Sequence, residues 1–184
     1  QLADRGNGNY AYIVNLNAAQ KVLGDEVSST LNTVAKDVKI QIEFNPAVVS
    51  EYRLVGYENR ILKREDFNND KVDAGDVGAG HTVTAIYEIS LKESDGKRID
   101  PLRYQSAKET TTTSNELAFL RVRYKAPDSD TSKLQEWPLQ VDQIADTNQE
   151  TSDSFRFAAA VAAFGQKLRS GKYLEDFSYD NILN

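Results

Sequence analysis

The clearest pattern in the chain is the strict alternation of apolar and polar residues between Val38 and Phe44. Val38, Ile40, Ile42 and Phe44 alternate with Lys39, Gln41 and Glu43. A period of two predicts a half-buried strand, so we expect the first set to face a core and the second set to be exposed. Shorter runs of the same kind occupy residues 52–57, 82–89, 117–124 and 137–141. No helical period separates these strands, which favours antiparallel pairing, and Pro138 marks the last one as an edge strand.

Two other segments repeat apolar residues at helical spacing. The first predicts a helix over 16–35, with Asn15 as N-cap and a stripe that includes Leu16 and Leu23. The second predicts a helix that begins at Ser152 or Asp153 and ends before Gly171. Its expected buried face consists of Phe157, Ala160, Val161, Phe164 and Leu168. Together the elements predict an α+β fold, an antiparallel β-sandwich-like domain flanked by two helices.

Composition removes several classes of function. The 184 residues carry a net charge of −6, whereas nucleic acids and anionic membranes attract basic surfaces. No run approaches the roughly 18 apolar residues of a membrane span, so we expect neither nucleic-acid binding nor direct membrane insertion by this chain. Cys is absent and His81 is the single histidine, which excludes thiolate sites and any zinc site built on two histidines of one chain. Met is also absent, which favours a piece cut from a longer precursor.

The long polar connection 58–80 is the main candidate for a functional loop. Asp66, Asn68 and Asp70 have the spacing of the first ligands in an EF-hand calcium loop. Lys71 stands where that loop needs Gly and Val77 where it needs Glu, so we expect no essential metal. Instead, Asp66 and Asp73 should accept backbone hydrogen bonds, and Arg60 should anchor the loop to a carboxylate. The binding or structural residues proposed for this loop are Glu58, Asn59, Arg60, Asp66, Asp73, Gly78, Gly80 and His81.

His81 and the arginines of the fourth strand have competing interpretations. His81 follows a glycine-rich turn, where a structural role at a strand start competes with a general base assisted by Glu58 or Asp76. No nucleophile motif accompanies it. Arg121 and Arg123 alternate on one face, which we expect to be solvated.

Six segments carry a resemblance to a known family. They are residues 35–46, 52–60, 65–67, 73–85, 120–125 and 157–165. In this order they resemble the C-terminal region of YfbK-like bacterial von Willebrand factor A-domain proteins. The resemblance covers nearly the whole chain.

The resemblance implies a domain division and a role. Residues 1–36 would be the last strand and helix of a von Willebrand factor A domain, and residues 37–184 an accessory β-domain with a C-terminal helix. The A domain of this family holds a metal at an Asp-x-Ser-x-Ser site, which this chain lacks. Its nearest counterpart, Asp128 to Ser132, has Asp at the middle position. The metal would therefore lie in the preceding part of the protein.

The expected function is accordingly non-enzymatic. The resemblance implies a cell-envelope domain, either periplasmic or exposed on the cell surface, and includes a lipoprotein among the full-length precursors to expect. This domain would support an A domain in binding an unidentified protein partner. It would need no cofactor of its own. Two alternatives remain open. One is a hydrolase centred on His81, and the other is a calcium-dependent binding module that uses the 58–80 loop.

Overall fold

The computed structural model describes residues 12–25, 32–56, 62–94, 98–99, 115–169, 171, 173–174 and 178–183. The strands are β1 Thr33–Phe44, β2 Val49–Val55, β3 Gly75–Gly78, β4 Ile86–Leu91, β5 Glu116–Lys125 and β6 Ser132–Gln140. The helices are α1 Leu16–Gln20 with a π-helical continuation Lys21–Asp25, α2 Asp153–Leu168 and α3 Tyr179–Leu183. Short 3-10 turns lie at Arg64–Asp66, Val141–Gln143 and Asn148–Glu150. The predicted α+β class is confirmed.

Two antiparallel sheets form the β structure. One has the order β3-β1-β5-β6, and the other pairs β2 with β4. β5 runs against β1, because the amide of Asn45 donates to Leu117 at one end while Asp37 pairs with Lys125 at the other. β6 carries Pro138 and is an edge strand, as predicted. The strand β3 was not predicted, since its four residues include two glycines, which are poor strand formers.

A bulge in β1 changes the predicted pattern of burial. The register with β3 shifts on both sides of Ala35, and Asp37 adopts φ 51°. Asp is one of the few residues that tolerate this left-handed conformation. Lys39 is only 3% exposed while Ile40 is 50% exposed. The prediction for these two positions is therefore wrong, because period-2 reasoning assumes an unbulged strand with one buried face.

The first helix is shorter than the predicted 16–35. Asn15 caps it as expected, accepting from the amide of Ala18 at 2.8 Å. The chain is extended from Thr33 onward, so the predicted end is wrong. Residues 26–31 lie outside the described part of the chain.

The second predicted helix is present but does not bury its large apolar residues. Ser152 caps α2 through the amide of Phe155 at 3.2 Å, and Gly171, at φ 58°, donates to the carbonyl of Gln166 at 2.9 Å. Both ends are as predicted. However, Phe157, Val161, Phe164 and Leu168 are between 46% and 72% exposed. The expected burial of this face is wrong, because the alanines of the helix, not its aromatic residues, are the less exposed side chains.

The chain divides into two compact units. The first comprises residues 1–41, 62–83 and 121–136, and the second comprises 42–61, 84–120 and 137–184. Among the described residues, Phe67 and Lys39 are the buried side chains of the first unit, and Val49 and Ala118 those of the second. In the second unit, Phe44 contacts the rings of Tyr52 and Tyr87, which joins the end of β1 to both strands of the small sheet. The proposed domain boundary between residues 36 and 37 falls inside β1 and stays a prediction.

Candidate functional site

Phe67 anchors the described part of the long loop, residues 62–80, because its side chain is buried. The 3-10 turn Arg64–Asp66 is closed by the amide of Asp66, which donates to the carbonyl of Lys63 at 2.9 Å. Phe67 follows directly and is 3% exposed. Burial of a whole phenyl ring stabilises the loop by about 1.5–3 kcal/mol. The loop is therefore packed, and its backbone conformation is fixed around Phe67.

Lys39 supplies the first of three cations that hold this loop. The bulge in β1 places its side chain under the loop, where the ammonium group donates to the carbonyl oxygens of Asp66, at 3.4 Å, and Asn69. A buried ammonium group needs such acceptors, because removing it from water is otherwise very costly. The same two carbonyls also accept backbone hydrogen bonds, from the amides of Asn69 at 3.1 Å and Val72 at 3.2 Å. Lys39 thus binds the loop through its backbone.

Arg123 supplies the second cation. Its Nε lies 3.2 Å from Oδ1 of Asp70, and Ser132 also donates to this carboxylate. These hydrogen bonds, from Ser132 and then Arg123, lower the pKa of Asp70 below its usual range. The expectation that Arg123 is solvated is therefore wrong. Arg121, two residues earlier, pairs with Glu136 at 3.1 Å at a more exposed position.

Lys125 supplies the third cation. Its ion pair with Asp37 is less exposed than the pairs of Arg123 and Arg121. The side chains of Lys125 and Asp37 are 12% and 17% exposed. Lys125 also donates to the carbonyl of Asp70 at 2.9 Å, while Asp37 accepts from the amide of Ala74 at 3.1 Å. Partial burial acts to raise the pKa of Asp37, but the hydrogen bonds from Lys125 and Ala74 outweigh it and lower the pKa. The hydrogen bond to Asp37 raises the pKa of Lys125.

Asp73 and Asp76 complete an acidic group around Asp37. The amide of Asp37 donates to Oδ1 of Asp76 at 3.1 Å. Loss of hydration, a hydrogen bond with Asp37, and the charges of Asp37 and Asp76 raise the pKa of Asp73. Neighbouring carboxyl groups with pKa values moved in opposite directions can share one proton.

The remaining residues proposed from the sequence are spread along the loop. Glu58, Asn59 and Arg60 lie outside the described residues, so the anchoring role of Arg60 stays a prediction. Gly78 is buried opposite Thr33, and Gly80 adopts φ 78° in the following turn. Of the three glycines in the glycine-rich segment before His81, Gly80 has the positive φ of a turn, whereas Gly75 and Gly78 lie in β3.

Of the three candidate calcium ligands, the carboxylate of Asp70 is bound by protein donors. The carbonyl of Asp66 accepts from Lys39, and the carboxylate of Asp70 is bound by Arg123 and Ser132. Asn68 is exposed. Across the described ranges, no three acidic or histidine side chains are grouped so that they could hold a metal ion.

His81 lies on the surface. Its amide donates to the carbonyl of Gly78 at 3.1 Å, and its side chain is exposed. The strand that follows begins only at Ile86, so the expectation of a strand-start histidine is wrong. The competing general-base arrangement would need a cleft, and an exposed imidazole supplies none.

The second unit contains a separate cluster around Arg53, which the sequence did not reveal. Arg53 pairs with Glu88 across β2 and β4, and its Nη2 donates to Gln166 of α2 at 2.7 Å. Its guanidinium lies 4.0 Å from the ring centroid of Tyr173. Arg98 also belongs to the cluster. Its Nη2 lies 3.6 Å from Oε1 of Glu88 and donates to the carbonyl oxygen of Tyr173 at 3.0 Å. This Arg53 cluster fixes α2 on the two-stranded sheet.

A shallow pocket in the second unit is too small for an ordinary ligand. It has a volume of about 190 Å³ and lies beside the end of β1, between Glu43 and Glu116. Small-molecule sites usually enclose about 300–1,000 Å³. No helix within the described ranges is long and apolar enough to cross a membrane.

Comparisons with known proteins agree on one relationship. Residues 29–184 match the family described as "Uncharacterized protein YfbK, C-terminal". The chain is 50% identical over 184 residues to "Uncharacterized protein YfbK" of Escherichia coli strain K12. That alignment covers 99% of this chain and 31% of the relative, so the chain spans about a third of the relative's length. No solved structure matches the chain.

Proposed function

The chain belongs to the family of YfbK C-terminal regions, and from this premise we propose that it is a non-enzymatic cell-envelope domain that supports a von Willebrand factor A domain in protein–protein interaction. The A domain and the envelope location come from the resemblance of the sequence. The relative's threefold greater length leaves ample room for such a domain. The adhesion-site metal belongs to that domain and not to this chain.

One observation carries the non-enzymatic role. The acidic loop is bound by cations of the same chain: Arg123 pairs with Asp70, and Lys125 and Lys39 donate to carbonyl oxygens of the loop. Catalytic and metal-binding carboxylates must keep an open position for a substrate or ion. At Asp70 of the loop and at Asp37 of β1 those positions are filled by protein donors, so these two carboxylates stabilise the loop.

Deletion within the full-length protein tests the support role. Hydrogen exchange across the A domain should rise when residues 37–184 are removed, because the A domain loses a packing partner. Cell fractionation of the same protein checks the envelope location. Unchanged exchange in the A domain after the deletion contradicts the proposal.

The hydrolase alternative has its own measurement. Full-length protein and a His81→Ala variant are assayed against ester, phosphoester and peptide substrates. We expect no turnover above the uncatalysed rate for either protein. Turnover that disappears in His81→Ala establishes an enzyme and overturns the proposal.

A further inference from the structure

The exposed apolar residues of α2 form a narrow seam. Phe157, Val161, Phe164 and Leu168 recur at spacings of four, three and four residues, which is the pattern of a helix that packs lengthwise against another helix. All four side chains are exposed, by 46–72%. We call these four residues the α2 seam.

The surroundings of the seam favour a helical partner. Ala158, Ala160 and Gly165 flank it and are only half-exposed, which leaves small side chains beside much of the seam. Small flanking residues allow helix axes to approach to about 8 Å. Tyr179 of α3 extends the apolar surface at one end, with its ring 6.2 Å from that of Phe164.

The helix that carries the seam is linked to the small sheet by a side-chain hydrogen bond on another side of the helix. Gln166 lies on another side of α2 and accepts from Arg53 of β2 at 2.7 Å. Arg53 is in turn fixed by Glu88 and by the ring of Tyr173. A surface held in this way loses little conformational entropy when a partner binds.

The area of the seam decides between a partner in the same protein and a second copy. Four side chains exposed to this extent offer roughly 400–500 Å². Two seams packed together would bury about 800–1,000 Å², below the roughly 1,200–2,000 Å² of a stable dimer. A tethered segment needs less, because domain interfaces within a chain begin near 600 Å² and the effective concentration of the tethered partner is in the millimolar range. The seam therefore suits an occupant in cis.

We propose that the α2 seam is the docking surface for an amphipathic helix in the part of the longer protein outside this chain. This inference rests on the proposed function and names the surface through which the support would act. The docked helix presents apolar residues at matching spacings of three and four. The relative has about twice this chain's length outside the matched region, which supplies the segment.

The test uses full-length protein with Phe157→Glu, and Phe155→Glu as the matched control. Phe155 is 55% exposed, on the same helix, but lies about 160° around it from Phe157. Hydrogen exchange is measured across the whole protein, and the oligomeric state by light scattering. Phe157→Glu should raise exchange in one helix outside residues 1–184 by on the order of ten-fold, and Phe155→Glu should not.

Two results overturn the docking proposal. One is unchanged exchange outside this chain in Phe157→Glu. The other is a wild-type dimer that Phe157→Glu dissociates, which makes a second copy the occupant. The deletion experiment described above separates this inference from the proposed function: if deletion exposes the A domain but Phe157→Glu does not, the support role stands and the seam assignment fails.

Discussion

Lys125 of β5 and Asp37 of β1 form an ion pair in which both side chains are more than four-fifths buried. Asp37 lies at the bulge with φ 51°, and its carboxylate also accepts from the amide of Ala74. The pair therefore ties the sheet to the loop at the place where the strand is irregular. Removing either charge leaves the other without its main partner in a poorly hydrated position.

Loss of the Lys125 charge should loosen the loop. Lys125→Met retains the aliphatic stem but leaves Asp37 unpaired, so we expect a lower midpoint of urea unfolding and faster amide exchange at residues 66–74. Arg121→Met is the matched control, because its pair with Glu136 is more exposed and surface pairs contribute little. Equal effects of the two substitutions would contradict the importance of the Asp37 pair.

Lys39 should be more important to the loop than an ordinary surface lysine. Lys39→Ala removes an almost fully buried ammonium group together with its hydrogen bonds to the carbonyls of Asp66 and Asn69, at a cost of about 1–3 kcal/mol in the free energy of unfolding. Lys133→Ala on the exposed part of β6 should change this free energy by less than about 0.5 kcal/mol. Urea denaturation measures both. A Lys39→Ala variant as stable as the wild type refutes the carbonyl-binding role.

Truncation of a buried phenylalanine should destabilise the chain far more than truncation of an exposed one. Phe67→Ala should lower the free energy of unfolding by about 3–5 kcal/mol, because the ring is almost completely buried. Phe157→Ala should cost this chain less than about 1 kcal/mol, since its ring is 72% exposed. Thermal and urea unfolding of both variants provide the comparison. The order would reverse if α2 rather than the loop carried the core.

Asp73 and Asp37 should affect stability in opposite directions with pH. The pKa of Asp37 is lowered below 3.8, so its stabilisation is present above pH 3.8 and is lost as the pH falls through its folded value. The pKa of Asp73 is raised above 3.8, so its contribution is present below pH 3.8 and is lost as the pH rises through its folded value.

Two amide substitutions check this sign. Asp73→Asn should raise the melting temperature at pH 7, because it removes a carboxylate that repels Asp37 and Asp76, and should have little benefit at pH 3. Asp37→Asn should lower the melting temperature at pH 7 and lose its effect toward pH 3. Melting temperatures of both variants, recorded from pH 3 to pH 8, test these two expectations. The same trend for both variants would contradict the opposite pKa shifts of Asp37 and Asp73.

The turn at Gly80 should resist substitution for a conformational reason alone. A Cβ at this position meets no atom within 4 Å, yet the residue has φ 78°. Gly80→Ala should therefore cost about 1–2 kcal/mol in unfolding free energy. Gly165→Ala, also without close neighbours but inside α2, should stabilise the chain by about 0.5–1 kcal/mol. Urea unfolding of both variants measures the difference, and two effects of the same sign would exclude backbone conformation as the cause.

The sequence was sufficient for features whose cause is local. Helix caps at Asn15 and Ser152, the stop at Gly171 and the five longer strands follow from residue type and periodicity. Features that depend on distant residues were not predictable in this way. Lys39 appears polar and exposed in any period-2 pattern, and only the bulge at Asp37 and the loop around Phe67 bury it.

The candidate site shows the same division. The acidic loop was recognised from its composition, whereas its binding partners, Lys39, Arg123 and Lys125, come from strands 23 or more residues away in the sequence and carry no local signal. The exposed α2 seam was misjudged for the opposite reason. Helical spacing identifies an apolar face, but it does not distinguish packing within this chain from packing against another segment.

We propose that Lys39, Arg123 and Lys125, rather than a metal ion, hold residues 62–80 in place. Amide exchange across these residues tests this proposal in wild type and Lys125→Met, each with calcium and with a chelator. We expect exchange in the wild type to be the same in calcium and in chelator, and to rise in Lys125→Met under both conditions. Exchange that slows when calcium is added to the wild type, together with no change in Lys125→Met, would contradict it.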